Sequence, residues 1–149
     1  MKILIVEDDS FKIEDLKEHI KNKISNCIIT VKKSYQSACD AALSDYFDLL
    51  LLDMSIPTFD ITNNENGGDT LKNGGELIMR ELTEEGIPFE AVIISQYETF
   101  NQETVEQIDT RLENQFGPHY HGWIKYSTRN NDWQEKLTKI IENDININN

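Results

Sequence analysis

Positive charge is scarce in this chain: 14 lysines and arginines stand against 27 aspartates and glutamates, a formal net charge of −13. A field of that sign repels phosphate backbones and anionic lipid surfaces, so neither nucleic acid nor a membrane is expected as a partner. Cysteine is nearly absent. Cys27 and Cys39 lack metal-ligand spacing, and two thiols in 149 residues make no disulfide framework. They read as small apolar residues in a reducing compartment, and a cytoplasmic location is the expectation. No apolar run is long enough to span a bilayer. Met1 to Val6 imitates the start of a signal peptide, but Glu7-Asp8-Asp9 ends it at once. What is present suits one domain with a full core: 38% hydrophobic and 28% charged residues, ordinary globular values.

Short apolar runs alternate with helical patterns. Ile3 to Val6 is a continuous apolar run, the signature of a strand buried on both faces. Ser10 is a candidate cap for a helix with Ile13, Leu16, Ile20 and Ile24 on one face. Cys27 to Val31 reads as a β-branched second strand, followed by a helix capped by Ser34. Leu49 to Leu52 is a third strand, closed too early for a helix by Pro57. A polar segment, Thr58 to Asn73, precedes a helix opened by Gly74-Gly75. Ala91 to Ile94 is a fourth strand, and Val105, Ile108, Leu112 and Phe116 mark a fourth helix. Trp123-Ile124 is a short fifth strand, and Trp133, Leu137, Ile140 and Ile141 mark the last helix. Five strand–helix units imply a mostly parallel sheet with right-handed crossovers and helices on both faces. The expected domain spans 1–142, with 58–73 an inserted loop and 143–149 a flexible tail. There is no internal repeat and no second domain.

Polar residues gather at the strand ends. Glu7-Asp8-Asp9 follows the first strand, Asp53 the third, Ser95 the fourth and Lys125 the fifth. In an open parallel sheet, the carboxyl ends of neighbouring strands border one crevice, where ligands bind. Two like charges about 4 Å apart repel by roughly 4 kcal/mol at an effective dielectric near 20. A helix N-terminus offsets only about 0.3–1 kcal/mol of this. Clustered carboxylates therefore call for protonation or a cation. Oxygen donors with open solvent access favour Mg²⁺. Lys125 supplies an ammonium and Ser95 a hydroxyl for phosphoryl oxygens, around a carboxylate nucleophile.

These features together resemble the response-regulator receiver domain of two-component signalling. Ile-Leu-Ile-Val-Glu7-Asp8-Asp9 is similar to the family's first strand and acidic pair. Leu-Leu-Leu-Leu-Asp53-Met-Ser-Ile-Pro57 is similar to its phospho-acceptor motif. Val-Ile-Ile-Ser95 resembles its hydroxyl-bearing strand, and Gly-Trp-Ile-Lys125 its lysine strand. The likeness runs from Lys2 to the last helix. It implies a flavodoxin-like doubly wound (βα)5 fold with a five-stranded parallel sheet in the order 2-1-3-4-5. It implies that Asp53 accepts a phosphoryl group from a histidine kinase or phosphotransfer protein. Asp8 and Asp53 would ligate Mg²⁺ directly, the Ser55 carbonyl would add a ligand, and Glu7 would act largely through water. Ser95 and Lys125 would hold phosphoryl oxygens. Such a chain is a self-catalysed phospho-acceptor rather than a turnover enzyme. Standing alone, it would signal through contacts with a downstream protein that the sequence does not name.

The chain also departs from the family. Tyr126 follows the lysine where proline is usual, and Gly122 stands where a switch aromatic is common. The 58–73 segment and the Ser95–Lys125 connection are extended. These departures motivate a second reading, a non-switching module that binds partners through the same fold. A third, a phosphatase or flavin carrier on a similar sheet, is weaker. Ser55 occupies the place of a dehalogenase-type second acid, and acids replace a phosphate loop after the first strand. Singly, each site residue reads as a turn or surface group. His119 and His121 have no matching Cys or third His nearby and read as structural or exposed, His19 reads as solvated, and both tryptophans read as packing.

Overall fold

The computed structural model describes residues 1–96, 99–100 and 102–145. Its centre is a five-stranded parallel sheet: β1 (Lys2–Val6), β2 (Ile28–Lys32), β3 (Leu49–Leu52), β4 (Ala91–Ser95) and β5 (Tyr120–Lys125). The strand order is β2-β1-β3-β4-β5, the expected 2-1-3-4-5. Helices α1 (Ser10–Lys23), α2 (Tyr35–Ser44), α3 (Gly74–Glu84), α4 (Val105–Phe116) and α5 (Asp132–Ile140) make the crossovers.

The apolar strands explain the layering. Alternate residues point to opposite faces, so the leucines of β3 serve two cores. Leu50 and Leu52 pack in the core that holds Ala38, Ile78 and Ile108 of α2, α3 and α4. Leu49 and Leu51 pack in the other, with Leu16 of α1 and Trp133 of α5. All four leucines are buried.

Several local expectations are refined. Asp9, not Ser10, caps α1: its Oδ1 accepts the amides of Phe11 at 2.9 Å and Lys12 at 3.2 Å. An aspartate there also complements the positive end of the helix dipole. Strand β5 is six residues long, not two. A bulge hides it from period-two reading, because Ala91 pairs with Tyr120 but Ile93 pairs with Trp123. Gly122 sits in that bulge at φ +116°, a conformation L side chains rarely adopt. The position of the missing switch aromatic is thus one where the backbone itself disfavours a side chain.

The 58–73 segment is tied down at its base. Ile56–Pro57 pairs antiparallel with Thr70–Leu71, and Thr58 and Phe59 amides bond to Asp69 and Gly67 carbonyls. Asp60 Oδ1 accepts from Ser34 Oγ at 2.7 Å and Ser37 Oγ at 3.0 Å at the start of α2. A second two-residue ribbon, Thr99–Phe100 with Glu103–Thr104, precedes α4. Residues 143–145 of the expected tail are helical. A π-helical turn carries the chain from α5 to Ile145, which is buried in the α1–α5 core. Residues 146–149 lie outside the described residues.

Candidate functional site

The parallel register carries the acidic residues to one end of the sheet. β1 and β3 lie side by side with Val6 opposite Leu52, so Glu7 and Asp53 emerge next to each other. The Asp53 amide bonds to the Val6 carbonyl at 3.0 Å and fixes this approach. Carboxylate oxygens of Glu7, Asp8 and Asp53 all lie within 4.8 Å of one another. Glu7 and Asp53 are buried, whereas Asp8 is exposed to solvent. The crevice between them is also bordered by Asp9, Lys12 and Ser55.

Close approach of α3 makes the loop after β3 compact. The Gly74 amide donates to the Met54 carbonyl at 2.6 Å. A Cβ on Gly75 would lie 2.9 Å from the Asp53 carbonyl oxygen and 2.8 Å from Ile93 Cδ1. Only glycine lets the helix start this close to the end of β3. The Asp53 carboxylate is further oriented by the Met54 amide, which donates to Oδ1 at 2.8 Å.

The charge in the cluster is only partly met. Glu7 Oε1 accepts the amides of Asp8 and Asp9 at 3.1 and 3.0 Å. Its Oε2 lies 2.6 Å from Lys12 Nζ in a buried ion pair. The same ammonium donates to the Ile94 carbonyl at 2.7 Å and lies 3.7 Å from Asp53 Oδ1. Burial, with Asp53 adding to it and Lys12 opposing it, pushes the Glu7 carboxyl up to about 7. Burial and the Glu7 charge also raise Asp8 above the usual carboxylate range. Oxygen donors, two buried carboxylates sharing one ammonium and an exposed third acid fit a hard divalent cation.

Ser95 and Lys125 end adjacent strands and are register partners, Ser95 buried and Lys125 exposed. The Tyr126 amide bonds to the Ser95 carbonyl at 2.9 Å. Sequence reasoning placed Glu7, Asp8 and Asp53 together and the structure brings them together. It missed Lys12, which is 2% exposed at the heart of the cluster. A signal existed, because Lys12 falls four and eight residues before the buried Leu16 and Ile20, on the core-facing stripe of α1. It also missed Tyr126, whose ring lies 5.4 Å from Lys12 Nζ and whose hydroxyl donates to Asp15 Oδ2 at 2.7 Å.

No protein-family model matches the chain. The Detocs response regulatory protein DtcB of Enterobacter cloacae (strain JD6301) is 25% identical over 147 residues, covering 95% of this chain and 98% of that protein. Among solved structures, the Mn²⁺-bound form of the response regulator Rcp1 has a TM-score of 0.63 at 16% identity, over 97% of this chain and 94% of its own. The chain has the fold of response-regulator receiver domains. The receiver domain of the Pseudomonas aeruginosa PAO1 sensor histidine kinase PA1611, with magnesium coordinated in its active-site cleft, has a TM-score of 0.64 at 17% identity. That similarity covers 97% of each chain, so the chain shares the doubly wound fold of these proteins. Among the described residues, no helix is long and apolar enough to cross a membrane.

Proposed function

We propose that this receiver accepts a phosphoryl group on Asp53 from a histidine kinase or phosphotransfer protein, in a Mg²⁺-dependent reaction in the cytoplasm. The observation that carries this reading is the convergence of Glu7, Asp8 and Asp53 within 4.8 Å beside the end of the Ser95 strand. Asp8, Asp53 and the Ser55 carbonyl would hold the cation, with Glu7 reaching it through water. The bound cation supplies charge neutralisation to the phosphoryl oxygens.

In the transfer, an Asp53 carboxylate oxygen attacks phosphorus. A P–O bond forms, and the bond to the donor's leaving atom breaks with its electron pair. The Met54 amide holds the other carboxylate oxygen and so aims the nucleophile. Ser95 and Lys125 are the candidate groups for phosphoryl oxygens. Each event consumes its own acceptor, so the chain works as a signalling module rather than a turnover enzyme. It passes the event on through contacts with another protein. The test is intact-mass spectrometry after incubation with acetyl phosphate and Mg²⁺. A gain of one phosphoryl mass, lost in Asp53→Asn, is expected; an unchanged gain in Asp53→Asn refutes the assignment.

One observation motivates a test of a second reading, a non-switching interaction module. Gly122, at φ +116°, leaves no side chain where the family commonly has a switch aromatic. A beryllofluoride titration followed by amide NMR separates the two. Shifts that extend from the crevice along β5 favour switching, and shifts confined to the crevice favour the module.

A further inference from the structure

The site's arrangement of positive charge departs from what the strand ends alone imply. Lys12 projects from the first turn of α1 into the acidic crevice, and every part of its surroundings fixes it there. Its ammonium donates to the Ile94 carbonyl at 2.7 Å and lies 2.6 Å from Glu7 Oε2 and 3.7 Å from Asp53 Oδ1. The Tyr126 ring covers it at 5.4 Å, and Asp15 anchors that ring through its hydroxyl. Trp133 packs against Tyr126 at 5.4 Å between centroids and closes the assembly toward α5. A lysine pinned by a carbonyl from β4 and roofed by an aromatic is not a surface charge that strayed inward.

The charge count assigns it a task. Asp9 is turned to the α1 amides, so the converging acids are Glu7, Asp8 and Asp53, which carry three negative charges when ionised, and Lys12 returns one. The remaining two match one divalent cation. Glu7 already uses Oε1 for two backbone amides and Oε2 for Lys12. The oxygens left to face the crevice belong mainly to Asp8 and Asp53. We infer that Lys12 is a resident cation of this crevice, which holds Glu7 away from direct metal coordination and sets the affinity for divalent cations. It rests on the reading of the crevice as a cation-dependent phosphoryl site. Lys12 is a positioning residue in this role, acting through Glu7 and through its field on the metal position.

The test is isothermal titration of the full chain with Mn²⁺ alone, comparing the unsubstituted protein with Lys12→Met. Removing a positive charge a few ångströms from the cation position should tighten binding roughly tenfold. Circular dichroism checks that the variant keeps its fold. Equal or weaker affinity in a folded Lys12→Met overturns the inference while leaving the cation site standing. Binding by neither protein overturns the cation-site reading and this inference with it. Should Lys12→Met not fold, the side-chain ammonium resonance of Lys12 is followed by NMR during Mg²⁺ titration of the unsubstituted chain. It should shift in step with the Asp8 and Asp53 amides. No movement at saturating Mg²⁺ overturns the inference.

Discussion

Glu7 and Glu76 are the same residue type at nearly the same burial, 2% and 3% exposed, yet their surroundings differ in kind. Glu76 sits on α3 and places one oxygen between two guanidiniums, Arg80 at 3.0 Å and Arg111 at 2.6 Å. Both arginines remain partly in water, so their desolvation cost is small. Arg111 also forks onto Glu103 at 3.2 and 3.1 Å, joining α3, α4 and the ribbon before α4. These carboxylate contacts hold the Arg111 charge well above its already high ordinary range. Glu7 instead shares one fully buried ammonium with Asp53 and a backbone carbonyl. Its carboxyl is accordingly pushed up to about 7. A carboxylate met by hydrated guanidiniums is a structural tie, whereas one met by a shared, buried lysine leaves an unmet demand for positive charge. The contrast marks the end of the sheet where a cation belongs.

The largest effect expected is on the Glu7 side. In chelator, Lys12→Met strands a buried carboxylate, and breaking a buried pair in this way costs about 3 kcal/mol. Urea unfolding measures it, and Mg²⁺ should recover much of the loss. Next comes Gly75→Ala. Its new Cβ, 2.9 Å from the Asp53 carbonyl, must push α3 away from the acceptor loop. A loss of about 2 kcal/mol is expected, with slower phosphorylation of Asp53. Arg111→Gln should cost less, about 1 kcal/mol, because Arg80 still serves Glu76 and the site is half hydrated. Phosphorylation of Arg111→Gln should match the unsubstituted chain; a large loss there would erase the contrast between the two glutamates.

The smallest effect is a pH dependence far from the crevice. His19 is buried against Trp133, with ring centroids 5.3 Å apart, and its Nε2 bonds to Thr138 Oγ1 at 2.9 Å. Burial lowers its pKa below the ordinary 6.5. Between the lowered folded value and 6.5, the unfolded chain binds more protons, so stability rises with pH through that window. The stabilisation is complete above 6.5 and lost as pH falls through the window. His19→Gln should flatten that slope by under about 1 kcal/mol in denaturant titrations between pH 5 and 7.5.

The sheet was legible because its strands are uninterrupted apolar runs, and because each ends on a residue too polar for the core. That rule brought Glu7, Asp8 and Asp53 together. It failed where chemistry and position disagree. Lys12 and His19 lie on the buried stripe of α1, but a charged or polar residue type overrode their spacing. Both burials follow from partners on other elements, Ile94 and Thr138, that no local pattern contains. Tyr126 was noted as a departure from the family, yet its packing over Lys12 depends on how β5 passes α1. The short reading of β5 traces to one inserted residue at Gly122, which breaks the alternation. Ile145 did carry a local signal, four and eight residues after Ile141 and Leu137, but the surrounding asparagines concealed it.

The central claim is that Asp53 itself carries the phosphoryl group. Borohydride reduction of the acetyl-phosphate-treated chain, followed by peptide mapping, tests it most directly, since an aspartyl phosphate is reduced to homoserine. Homoserine at position 53 alone, formed with Mg²⁺ and absent in chelator, is the expected result. Reduction at another carboxylate, with Asp53 recovered unchanged, would contradict the account.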